Sequence, residues 1–409
     1  MSRGRAVVSA VAAAALIALP CAPQAAAPAS ATPPPKRLSA PCLPARPDAV
    51  GGERLRLPGV QVRRPAAVPP PPAVKAAAWI VTDLDSGAVL ASADGHKRCA
   101  PASTLKILTA ITLAPRLDPG TVYIATATDQ NIDGSKVGVV AGSQYTVRDL
   151  LHGLLLGSGN DTASGLAALA GGLPEASRLM QAEAARLGGD DTVVANTSGL
   201  DAEGQVTSPY DLALFGRQAL RTPSVASIVA TKRYRFPAAG RVGDPRRATF
   251  EVGNHNKLLY GYAGATGVKN GYTVAAGGSF VGSARRSGRG YLVALIHADG
   301  QTAQMARQLL DWAFTYGSEV TPVGRLVEPG ERPAPTPTPS PSASPALVGG
   351  TTAAGVTAAP AARPHRVPWP WVALTLVVAT GLGGALGWWR YRPAWPPSIR
   401  RRPPGRPRH

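Results

Sequence analysis

The chain has 409 residues, 41 of them proline and 45 glycine, and carries a formal net charge of +19. Proline and small residues crowd residues 28–72 and 331–370, and neither stretch has the apolar periodicity that offsets the entropy of ordering. The charge does not point to nucleic acid, because Arg390, Arg392, Arg400, Arg401, Arg402, Arg406 and Arg408 share one tail. The other basic residues are scattered, with no interleaved aromatics and no nucleic-acid motif.

In chain order, Arg3 and Arg5 precede an apolar run, Ala6–Leu19, and Ala29-Ser30-Ala31 follows. A charged start, an apolar middle and an Ala-x-Ala site predict a secretory signal over residues 1–31. Cys21 departs from a lipoprotein cysteine because Pro20 stands where a small residue is required. Residues 32–75 read as a Pro-rich extracellular segment. Cleavage after Ala31 leaves Cys42 and Cys99 as an even pair in an oxidising compartment, either as a disulfide or as two free thiols. Two cysteines and scattered histidines give no metal-ligand spacing, and nothing in the chain calls for a cofactor.

Residues 76–325 are the candidate for one compact domain, large enough for a substantial core. Trp79-Ile80-Val81 and Val89-Leu90-Ala91 predict strands joined by the Asp85-Ser86-Gly87 turn. Pro101 precedes a helix over Ser103–Leu113, with Leu105, Ile107, Leu108 and Ile111 available for burial. Thr146-Val147-Arg148-Asp149 is a capping-box pattern before the apolar run Leu150–Leu156. Gly157–Asn160 breaks that helix, and Asp161 is expected to cap the next. Gly277–Ala284 and Tyr291–His297 predict strands. Thr302–Tyr316 predicts a helix with Met305, Leu309 and Trp312 on one face. Strand pairs at both ends with helices between predict an α+β fold, an antiparallel sheet with a helical layer.

Residues 326–368 read as a Pro/Ala/Ser-rich linker. Trp369–Trp389 carries no charge, is long enough to span a bilayer and has tryptophans at both ends. The arginine-rich residues 390–409 then set the orientation. The expectation is a single-pass helix with a cytoplasmic tail and the folded domain on the extracytoplasmic side of the cell membrane.

Three short elements carry chemistry. Ser103-Thr104-Leu105-Lys106 puts a hydroxyl and an amine on one helical face. A serine hydroxyl needs a base at neutral pH, and a lysine serves only if burial or a neighbouring cation lowers its proton affinity. Ser158-Gly159-Asn160 offers a hydroxyl to relay a proton and an amide to hold a peptide carbonyl. Lys269-Asn270-Gly271-Tyr272-Thr273 offers a cation, a close backbone approach at Gly271 and a hydroxyl at Thr273 that can hold a carboxylate. An edge strand there would pair with a peptide through main-chain hydrogen bonds.

The order Ser-x-x-Lys, Ser-x-Asn, Lys-x-Gly is the signature of penicillin-binding proteins and β-lactamases. With Leu156–Asp161, Asn196-Thr197-Ser198-Gly199-Leu200-Asp201, Asn254-His255-Asn256-Lys257-Leu258-Leu259 and Gly267–Thr273, the chain resembles the low-molecular-weight serine D-alanyl-D-alanine carboxypeptidases over about residues 76–316. The resemblance implies a β-lactamase/transpeptidase-like serine fold acting on peptidoglycan stem peptides, with β-lactams as inhibitors. It makes Ser103 the nucleophile, Lys106 its base and Ser158 the proton relay. Asn160 binds the substrate backbone and Lys269 is an electrostatic clamp. The Ser103 and Tyr272 amides form an oxyanion hole, with Thr273 at the substrate edge. The family usually has threonine or serine where this chain has Asn270, and many members carry a C-terminal β-domain that this chain replaces with its linker. Two rivals remain: a β-lactamase, for which Glu175 and Glu183 lie in the relevant stretch outside any deacylation motif, and a catalytically silent wall-binding protein.

Overall fold

The computed structural model describes residues 42–331. The expected leader, most of the linker, the 369–389 stretch and the arginine tail lie outside the described residues. Among the described residues no helix is long and apolar enough to cross a membrane.

The chain opens with α1 (Glu53–Arg56) and β1 (Val60–Val62), followed by β2 (Ala76–Asp83) and β3 (Ala88–Ala93). A tight 3-10 turn, Ala102–Leu105, runs straight into α2 (Lys106–Leu113). The middle of the chain is largely helical. It holds β4 (Val122–Ile124), α3 (Ala127–Asn131), β5 (Gln144–Thr146), α4 (Val147–Leu155), α5 (Asn160–Leu169), α6 (Leu173–Arg186), α7 (Pro209–Arg221) and α8 (Pro223–Ala230). A hairpin, β6 (Arg233–Pro237) and β7 (Thr249–Gly253), and the short α9 (Leu258–Gly261) lead back to the sheet. There β8 (Ala265–Thr273), β9 (Gly277–Arg286) and β10 (Arg289–Ala298) form a meander, and α10 (Thr302–Tyr316) and β11 (Gly324–Arg325) close the fold.

The main sheet runs β1-β3-β2-β10-β9-β8, every pair antiparallel, with β11 also on β3. The expected antiparallel sheet joined from both ends of the chain is therefore present. Its central strands are apolar on both faces because each face is covered. Along β10, Leu292, Ala294 and Ile296 join the core under the helical layer, while Tyr291, Val293 and Leu295 join the core under α10. That is the period of two that a pleated strand imposes. Each fully buried leucine or isoleucine contributes about 1.5–3 kcal/mol. Met305, Leu309 and Trp312 of α10 are buried as their helical spacing implied.

The Pro-rich stretch before residue 76 departs from expectation after Cys42. It is a strap packed on the domain. Leu55 and Val68 are each 1% exposed, β1 pairs with β3, and the Trp312 indole donates to Pro69 O at 3.0 Å. Proline removes donors from a segment but leaves an edge strand possible between prolines. Composition alone does not reveal a waiting partner strand. At the other end the packed structure runs past Arg325: Leu326 and Val327 are buried, and Glu328 bridges Arg217 and Arg221 at 2.7 and 2.8 Å. Cys42 and Cys99 are joined in a disulfide with their Cα atoms 4.4 Å apart, which ties the start of the strap close to the turn that carries Ser103.

Candidate active site

Ser103 sits inside the 3-10 turn and Lys106 begins α2, so the two face the same way. Lys106 Nζ lies 3.0 Å from Ser103 Oγ. It also donates to Asn160 Oδ1 at 2.7 Å and to Ser198 O at 2.6 Å. A neutral amine has two protons and one lone pair. In that form the two carbonyl acceptors would take the protons and leave the lone pair for the serine. Burial pushes the Lys106 ammonium well below its usual range, Lys269 adds to that, and Asp161 opposes it. Both lysines are 1% exposed or less.

The backbone around this pair is held in uncommon conformations. Ala102 and Ser158 adopt φ of 48° and 61°, a left-handed region that costs a non-glycine residue on the order of 1–3 kcal/mol. Gly199 is needed where the Asn196–Asp201 loop meets the Ser103 turn: a Cβ there would fall 1.9 Å from Ala102 O. Gly271 is needed on the other side, where a Cβ would fall 2.6 Å from Ser103 N. The edge strand β8 thereby lies directly against the Ser103 amide.

The loop after α4 carries Ser158 and Asn160. The capping box begins α4 as expected, with Thr146 Oγ1 accepting from Asp149 N and the Asp149 carboxylate accepting from Thr146 N. Asp161 does not cap α5; Gly159 holds that position. Its carboxylate instead accepts from the backbone N–H groups of Val137, Gly138 and Val139. It pins the 137–139 loop to the start of α5. Asn160 uses its oxygen on Lys106 and donates from Nδ2 to Asp133 O at 2.7 Å. Ser158 is buried, and among the described residues its hydroxyl makes no hydrogen bond.

The Lys269–Thr273 segment is itself the edge strand β8, not a turn leading into one. Lys269 Nζ donates to Asn270 O at 2.8 Å and lies 3.4 Å from Asn270 Oδ1. Burial lowers its proton affinity to about 7. Asn270 pairs in register with Phe280 and so shares that residue's sheet face, whereas Gly271 pairs with Ser279 on the Ser103 side. Tyr272 is 71% exposed. Thr273 Oγ1 donates to Asp201 Oδ1 at 2.8 Å and accepts from Ala276 N. Its proton is thus committed to a carboxylate of the protein. Ser198, Asp201, Asp133 and His255 had no role assigned from sequence. Ser198, Asp201 and His255 lie inside conspicuous motifs, while Asp133 gave no signal.

An antiparallel sheet backed by helices, with a serine beside a lysine that burial pushes toward its neutral form, defines a serine acyl-transfer enzyme. A family model described as D-alanyl-D-alanine carboxypeptidase matches residues 65–300, and the chain belongs to that family. It is 38% identical over 270 residues to the D-alanyl-D-alanine carboxypeptidase DacB2 of Mycobacterium tuberculosis, covering 64% of this chain and 90% of that protein. A crystal structure of a D-alanyl-D-alanine carboxypeptidase from Mycobacterium tuberculosis H37Rv superposes with a TM-score of 0.60 at 37% identity. The match covers 64% of this chain and 99% of the other. Penicillin binding protein 6B from Escherichia coli superposes with a TM-score of 0.55 at 27% identity, over 62% and 81% of the two chains.

Proposed function

We propose that the enzyme removes the terminal D-alanine of peptidoglycan stem peptides ending in D-Ala-D-Ala, through an acyl-enzyme on Ser103. The observation that carries this is the 3.0 Å approach of Lys106 to the Ser103 hydroxyl, with Asn160 Oδ1 and Ser198 O as the other two partners of Nζ. Lys106 takes the hydroxyl proton as Oγ attacks the scissile carbonyl. The Ser103 and Tyr272 amides receive the oxyanion, and Ser158 returns a proton to the departing amine. Lys269 keeps the cleft positive, and Asn160 holds both Lys106 and the Asp133 loop. Water then hydrolyses the acyl-enzyme.

A β-lactam carries a strained amide of the same kind and acylates the same serine. The β-lactamase reading is weaker, since Glu175 and Glu183 are tied to Arg178 and Arg186 one turn along α6. Residues 369–389 would anchor the enzyme, with its catalytic domain on the extracytoplasmic face. Mass spectrometry after penicillin treatment tests the assignment. The adduct is expected on the peptide containing Ser103 and is lost in Ser103→Ala; an adduct on any other serine sinks it.

A further inference from the structure

An antiparallel sheet with one solvated face normally puts polar side chains on it. The small sheet of β4 and β5 does not. Tyr123 and Tyr145, an opposed pair, turn inward and are buried, while Val122 and Ile124 turn outward, Ile124 to 57% exposure. The β6–β7 hairpin is joined to that outward face. Gln144 opposes Ile124; its backbone N donates to Gly240 O at 2.9 Å, and its Oε1 accepts from Val242 N at 3.1 Å. Val242 and Phe250 are exposed. Phe250 packs on Phe236, which packs in turn on Tyr145. Val140, whose N–H donates to the Tyr145 hydroxyl, is exposed as well. Val122, Ile124, Val140, Val242 and Phe250 thus gather around one pair of residues, Gln144 and Tyr145.

The same hairpin is strongly basic. Residues 232–251 hold six cations, Lys232, Arg233, Arg235, Arg241, Arg246 and Arg247, against two carboxylates, Asp244 and Glu251. Glu251 lies 3.3 Å from Arg233, and Asp244 lies 3.8 Å from Arg246. Arg247 is laid over the Tyr145 ring, 5.0 Å from its centroid. Lys232, Arg235 and Arg241 are exposed, and among the described residues no carboxylate comes within ion-pair distance of them. A soluble polyanion would satisfy these cations and leave the apolar side chains in water. An anionic bilayer satisfies both: headgroup phosphates meet the arginines while the apolar side chains enter the boundary with the acyl chains. An anchor at residues 369–389 would keep the domain within linker reach of such a surface.

We propose that the face built by β4, β5 and the β6–β7 hairpin docks on an anionic lipid surface. This contact is reversible and separate from the anchoring stretch. The stem of the hairpin abuts the loop that carries Ser158: a Cβ on Gly157 would lie 3.0 Å from Val252 Cγ1. Docking therefore fixes the attitude of the cleft to the membrane. A domain that turns freely above a neutral bilayer is held in one orientation on an anionic one.

The test mixes the full-length enzyme with vesicles of phosphatidylcholine, or of phosphatidylcholine and phosphatidylglycerol, and follows backbone amide exchange by mass spectrometry. Amides of residues 122–124 and 240–250 should exchange about fivefold more slowly on the phosphatidylglycerol vesicles, while those of α10 exchange equally on both. High salt should remove most of the difference, because the attraction is screened. Arg235→Gln with Arg241→Gln, and separately Ile124→Ser with Val242→Ser, should each bring the ratio below about twofold. Arg54→Gln with Lys75→Gln, the same charge loss on exposed residues elsewhere, should keep the wild-type ratio. Penicillin acylation of each variant reports that its fold is intact. Equal exchange on the two lipids overturns the proposal, as does slowing that survives both double variants. Slowing produced as strongly by soluble poly(glycerol phosphate) would overturn it in favour of a polymer partner. Slowing that appears without lipid as protein concentration rises would overturn it in favour of a second copy of this chain. Flotation with the neutral vesicles reads the anchor separately, so its failure and that of the docking face are told apart.

Discussion

Two buried lysines with opposite needs share the site. On the proposed mechanism Lys106 must be neutral to accept the serine proton, so acylation should rise with pH as it deprotonates. On the same mechanism Lys269 must be charged to act as a clamp, while burial lowers its proton affinity to about 7. The expected kcat/KM profile is therefore bell-shaped, with apparent values that belong to the pair. A bound carboxylate favours the ammonium form, so the basic limb of kcat should lie at higher pH than that of kcat/KM. Coincident basic limbs would remove Lys269 from that role. Lys106→Arg keeps a cation that cannot deprotonate; it should fold, and it should lose penicillin acylation. Stability carries the same signature. The folded proton affinity of Lys269 is below its unfolded one, so the unfolded chain binds more protons between about 7 and 10.5 and stability rises with pH across that window. Lys269→Met should flatten that rise, stabilise the fold at pH 7 by on the order of 1–3 kcal/mol and abolish activity. Denaturation at several pH values checks it.

Among the elements, α4 and the loop after it set where Ser158 and Asn160 stand. Thr146→Ala removes one cap and should cost about 1 kcal/mol with little effect on acylation. Asp161→Ala should cost more, roughly 2 kcal/mol, because three backbone donors of Val137–Val139 lose their acceptor. It should also slow acylation, since Asn160, the next residue, holds Lys106. Equal losses of stability with undiminished acylation would confine Asp161 to the loop. The local signals here were legible: the three-residue spacing of Ser103 and Lys106, and the reciprocal side chains of Thr146 and Asp149, operate within one turn of chain. What sequence did not show depends on pairing between distant strands. Alternation along β8 says that Lys269 and Asn270 point apart, but only the register with β9 says which face each takes. The same applies to Thr273, whose partner Asp201 is 72 residues away.

On the scale of the whole molecule, the packed unit is longer at both ends than apolar patterning implied. A fragment starting at residue 76 should be markedly less stable than one starting at residue 42, because it lacks Leu55, Val68, β1 and the Cys42–Cys99 bridge. Thermal melting of the two fragments checks this. A fragment ending near residue 367 should be soluble and active, since the site lies wholly upstream of residue 331.

The two ends of that unit meet: Arg325 N donates to Gly51 O at 2.8 Å, and β11 lies on β3. β8, the strand beside Ser103, is the opposite edge of the sheet. Four inter-strand steps separate β3 from β8, about 19 Å at the usual spacing. Any tether running on from residue 331 therefore pulls on the edge remote from the reaction. Tension would first strain the Glu328 clamp to Arg217 and Arg221 and only then peel the two residues of β11 from β3, far from β8 and Ser103. A pull on the chain at residue 331 would thus be borne at the β11 edge before it reached β8 and Ser103.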